Sequence, residues 1–150
     1  MNCSKVIYQT VLNITALLFM VLFVYAASTR LISFDRFNTQ LIKSPFVSRY
    51  ASIIAWVVPF FELLIVGLFL FPKSRLLAFY SSLSLMTVFT VYIFMVINFS
   101  SSLPCACGGV ISSLDWRAHF VFNIIFIVLA IVGIILIHQR KNHSIKNKTT

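Results

Sequence analysis

Two cysteines one residue apart, Cys105 and Cys107, are followed directly by Gly108 and Gly109. Thiols at this spacing close a small disulfide ring if the backbone turns, and the paired glycines supply the freedom to turn. A disulfide stabilises a fold by closing a loop, and its contribution shrinks as the loop shrinks. Small strained disulfides tend instead to be oxidising and labile. The pair therefore reads as a redox couple rather than a staple. The competing reading is metal binding. His119 is the nearest further ligand, and two thiolates with one imidazole make an incomplete zinc site. Copper(I) accepts fewer, softer ligands. No resident metal is expected, and His119 reads more simply as a histidine near the start of a membrane span.

Glu62 is the second residue with chemistry to offer. It stands inside a long apolar run, three residues after Pro59. A carboxyl within a membrane is costly and marks a functional hypothesis. Proline also frees a backbone carbonyl about one turn before it. In protonated form Glu62 would donate to a polar group in the bundle. The candidates are Asn13, Thr15, Ser82, Ser84, Thr87 and Asn98. Glu62 is thus expected to be a buried polar residue or a proton-handling site. Ser112 and Asp115 have the spacing of a helix N-cap before Trp116. A helix start there would bring its positive end near the cysteines and favour a thiolate. Nothing in the chain forms a phosphate-cradling glycine loop, an HExxH metal motif or a Ser/His/Asp set. The sixteen phenylalanines read as lipid-facing or bundle filler.

The elements that position these residues follow from composition. Of 150 residues, 60% are hydrophobic and 10% are charged, against about 25% charged in a soluble domain. So few charges cannot cover a water-soluble monomer. The net charge of +9 would suggest nucleic acid on a soluble chain. Here the basic residues lie between apolar runs, as in the loops of a membrane protein, and no nucleic-acid partner is expected. Four stretches reach the roughly 20 apolar residues that a span needs: about 6–27, 51–71, 76–99 and 116–137. A basic tail, 138–150, follows. The fold class is all-α: one four-span membrane domain forming a four-helix bundle. Pro72-Lys73-Ser74-Arg75 is a tight turn that makes spans two and three antiparallel neighbours. Between spans one and two, Leu31, Phe34, Phe37, Leu41 and Ile42 recur at helical spacing among Arg30, Arg36 and Lys43. This predicts a short interfacial amphipathic helix, ended near Ser44-Pro45 because proline disfavours helix at the preceding residue. Trp56 and Tyr50 read as interface anchors.

Four spans put both termini on one side. That side collects seven basic residues (Lys5, Lys73, Arg75, Arg140, Lys141, Lys146 and Lys148), and the other collects Arg30, Arg36, Lys43, Arg49 and Arg117. The excess favours both termini in the cytoplasm of a bacterial inner membrane. The Cys105/Cys107 loop then faces outward, where disulfides persist. Cys3 lies on the reducing side, separated from the pair by about 30 Å of hydrocarbon.

Three regions of the chain resemble the MauE-type proteins of the DoxX-like group of four-helix membrane proteins. They are Tyr25-Ala26-Ala27-Ser28 followed by Leu31, Phe34 and Phe37; Pro59-Phe60-Phe61-Glu62 with Gly67; and Cys105-Ala106-Cys107-Gly108-Gly109 followed by Trp116 and Asn123. The resemblance implies a role beside methylamine dehydrogenase maturation, with a thioredoxin-like partner and disulfide formation. It carries over Cys105 and Cys107 as the redox pair and Glu62 as a buried polar residue of span two. The expected function is extracytoplasmic thiol–disulfide exchange, by an oxidoreductase or an accessory to one. Electrons would pass to a thioredoxin-like partner or a membrane quinone, although no motif encodes a cofactor. The alternative is a non-enzymatic assembly or carrier subunit for a metal or small solute.

Overall fold

The computed structural model describes residues 3–44, 46–99 and 116–146. Cys105, Cys107, the glycines after them and the Ser112–Asp115 capping segment lie outside the described residues. Five α-helices follow one another: α1 (Cys3–Ile32), α2 (Phe34–Lys43), α3 (Ala51–Leu70), α4 (Arg75–Phe99) and α5 (Trp116–Lys146). Short 3-10 turns at Ser48–Tyr50 and Pro72–Ser74 lead into α3 and α4. Among the described residues all regular structure is helical, and four helices are long and apolar enough to cross a membrane: Val6–Ile32, Ser48–Leu70, Pro72–Phe99 and Arg117–Arg140. The chain is a multi-pass membrane protein with the expected four-span bundle and a short amphipathic helix between spans one and two.

Each span buries one stripe of residues three or four apart, the spacing that returns a helix to the same face. On α3 the stripe is Ala51, Ala55, Pro59, Glu62, Ile65 and Phe69. On α4 it includes Ala78, Ser82, Met86, Thr90 and Ile93. Other faces carry exposed Leu, Ile, Val and Phe, which suits contact with lipid. The two most extensive packings are α1 on α3 and α4 on α5. The Pro72–Arg75 turn does bring α3 beside α4, but that contact is smaller. A phenylalanine cluster joins the two pairs. Phe19 of α1 stacks on Phe69 of α3 and meets Phe79 of α4 and Phe126 of α5 edge-on, with ring centroids 5.9, 6.0 and 5.2 Å away. Edge-to-face pairs at such distances add to the burial of each ring. Here Gly133 of α5 lets two helices close together. A Cβ on it would stand 2.6 Å from the Phe79 ring.

Two features depart from the sequence reading. The first helix does not end near Ala27 but continues through Arg30 to Ile32. It includes Leu31, so the amphipathic helix starts only at Phe34. The apolar face of α2 is Phe34, Phe37 and Leu41, packed on Ala51, Ala55 and Ile54 at the start of α3; Ile42 is exposed. Ser44, in extended conformation, ends α2 before Pro45. Its hydroxyl is buried and accepts a hydrogen bond from Tyr92 Oη of α4 at 2.9 Å. The second departure is that α5 runs on to Lys146, through the polar residues that follow the fourth apolar run.

Candidate functional site

Arg30 lies on the stripe that α1 buries. Leu12, Ala16, Phe19, Phe23 and Ala26 lead to it at intervals of three or four, and all are buried. The same regularity on α3 points Glu62 inward. The helices are antiparallel, and the two charges meet: Arg30 Nη1 donates to Glu62 Oε1. Arg30 is 8% exposed and Glu62 1%, so this is a buried ion pair and not a surface contact. In such surroundings neither charge is sustained alone.

This differs from the expectation for both residues. Glu62 is buried as expected, but its partner is none of the polar candidates named above. Asn13 takes part instead in hydrogen bonds with Gln9 and Arg75. Ser82 and Thr87 donate to carbonyls of their own helix, and so does the Asn98 amide. Arg30, in turn, is not a loop cation. Removing it leaves Arg36, Lys43, Arg49 and Arg117 as the basic residues at its end of the bundle.

The surroundings of the pair come from α2 and α4 as well. The Arg30 guanidinium carbon is 5.5 Å from the Phe37 ring centroid of α2 and 5.2 Å from that of Phe89 on α4. Both distances are within cation–π range. On α5, His119 is half-buried and packs its ring against Phe122 at 6.5 Å. Arg30 is therefore the place where α1, α2, α3 and α4 meet. Among the described residues the second Glu62 oxygen, Oε2, and Arg30 Nε have no hydrogen-bond partner, and neither has the buried Nδ2 of Asn123, one turn beyond His119. Sequence reasoning missed Arg30, although the three-and-four spacing from Leu12 onward was the signal for it.

The cysteines connect to this region through their flanking helices. The segment 100–115 joins the end of α4 to the start of α5. Phe94 and Phe120, near those two ends, have ring centroids 6.4 Å apart. α2 and the start of α3 occupy the same end of the bundle. Among the described residues no three His, Cys, Asp or Glu side chains come together as metal ligands.

Comparison with known proteins adds one finding. No curated protein and no solved structure matches the chain. The family described as methylamine utilisation protein MauE matches residues 8–136, which take in most of each of the four spans, Arg30, Glu62 and both cysteines of the pair. With most of its length matched, and four membrane-crossing helices to go with it, the chain belongs to the MauE family of methylamine utilisation proteins.

Proposed function

We propose that the chain supports thiol–disulfide exchange on the outer side of the bacterial inner membrane, with Cys105 and Cys107 as the exchanging pair. The observation that carries the reading is the family match running through both cysteines, together with their two-residue spacing. In the oxidised state a thiolate of an extracytoplasmic substrate protein attacks the Cys105–Cys107 disulfide and forms a mixed disulfide. A second substrate thiolate then displaces the chain's sulfur. The substrate leaves with its own disulfide, and the chain holds two thiols. Two electrons and two protons next pass to a membrane quinone, which becomes a quinol, or to the disulfide of a thioredoxin-like partner. The family's description favours a substrate in methylamine utilisation.

Glu62 and Arg30 hold the end of the bundle from which the cysteine segment departs. They act as positioning residues, with Glu62 Oε2 available as a proton acceptor.

Replacing both Cys105 and Cys107 with Ser tests the reading. Membrane abundance and thermal stability should be nearly unchanged, because so small a ring constrains little. Exchange should be lost, and the substrate thiols should accumulate reduced. Cys3→Ser should do neither. A chain with one cysteine of the pair retained should trap its partner as a mixed disulfide. A double variant that stays fully active overturns the proposal; one that fails to accumulate makes the pair structural.

A further inference from the structure

At the end of the bundle that carries both termini, four polar side chains form one hydrogen-bonded line. Asn13 Oδ1 accepts from Arg75 Nη1 at 2.7 Å and from Gln9 Nε2 at 3.3 Å, and Gln9 Oε1 accepts from Arg140 Nη1 at 2.7 Å. Gln9 and Asn13 are one turn apart on α1, so the two arginines are anchored about 5–6 Å apart along that helix. Arg75 comes from the start of α4 and Arg140 from the last turns of α5.

Carboxamides fix the direction of a guanidinium but do not neutralise it, and each guanidinium has five N–H groups to offer. The chain has three acidic residues, and none is at this end. Asp35 is in α2, Glu62 pairs with Arg30, and Asp115 directly precedes the start of α5. Among the described residues the two held cations thus have no counter-ion, and Lys73 lies in the turn before α4. One turn further toward the middle of the bundle the same face of α1 turns apolar, with Leu17 exposed. Oriented cations above an apolar wall suit an amphiphile better than a free anion, because headgroup and chains are both matched.

We propose that Arg75 and Arg140, held by Asn13 and Gln9, bind the phosphate of an anionic phospholipid whose acyl chains lie along α1. Guanidinium groups suit phosphate oxygens through paired N–H donors.

The test is lipid retention by the purified full-length chain in neutral detergent, measured by native mass spectrometry. The chain should retain phosphatidylglycerol in preference to phosphatidylcholine, and high salt should abolish the preference. R75Q/R140Q should lower phosphatidylglycerol retention about thirty-fold, the worth of two interfacial basic residues. R36Q/R49Q removes the same charge from the opposite end and should leave retention within about two-fold of the parent, since those residues lie beyond the reach of screened charge. The contacts removed are exposed, so the fold should survive, and R75K/R140K, which keeps the charge but not the paired donors, should restore part of the preference. Equal retention of phosphatidylcholine, a preference that survives high salt, or equal losses from the two glutamine pairs would overturn the proposal. Glycerol 3-phosphate binding as tightly as the lipid would overturn the lipid assignment.

Discussion

Arg30 and Glu62 are costly to bury singly and tolerable only together. Arg30→Met leaves a carboxylate in a low-dielectric interior, and Glu62→Leu leaves a guanidinium there. Each single replacement should destabilise the protein by about 3–5 kcal/mol, whereas the double replacement should recover most of the loss. Thermal unfolding of the four proteins in one detergent measures this as a double-mutant cycle. If the double variant is stable but exchanges thiols poorly, the pair does more than hold helices together. Glu62→Gln separates shape from charge: it keeps a hydrogen-bonding group but leaves Arg30 without a counter-ion. It should therefore resemble Glu62→Leu in stability more than the parent protein. The sequence marks Glu62 plainly, as the one acid within an apolar run. It marks Arg30 poorly, because a cation just after such a run is what a loop usually contributes. Only the continuation of the buried stripe from Leu12 distinguishes it, and periodicity that ends in a charge is easily read as the end of a helix.

At the scale of the helices, close approach is the discriminating feature. Gly133 faces the Phe79 ring, and Phe79 is itself fixed by Phe19 and Phe69. Gly133→Ala should force these elements apart at a cost of about 1–3 kcal/mol. Gly67 has nothing within 4 Å of where a Cβ would stand. Gly67→Ala should be neutral or stabilise by up to about 1 kcal/mol, since alanine is the better helix former. Comparing unfolding temperatures of the two variants checks both expectations. The spans themselves were legible as apolar length, and α2 as spaced aromatic and aliphatic residues ending before Pro45. The pairing of helices was not. A four-residue connection places α3 beside α4, but how much surface each pair shares depends on side-chain shape at positions such as Gly133, which hydropathy does not register.

For the whole molecule, orientation rests on the basic residues outside the apolar interior. With Arg30 withdrawn, the end bearing the termini holds seven and the other four: Arg36, Lys43, Arg49 and Arg117. The difference is larger than the sequence alone suggested, and it favours termini in the cytoplasm. A reporter active only in the cytoplasm should work when fused after Thr150, and one inserted at Ser101 should read as external. The reverse pattern would put the cysteine pair in a reducing solution and remove the basis for its proposed chemistry. The ion pair also has a consequence in time. Its members are 32 residues apart, so at about 5–20 residues per second the ribosome delivers Glu62 roughly 2–6 s after Arg30. During that interval Arg30 lacks the carboxylate it pairs with in the finished bundle. A lone guanidinium is costly inside the membrane, so its burial is expected to wait for the second hydrophobic segment. Burial of the end of the first span is thus tied to the arrival of the second.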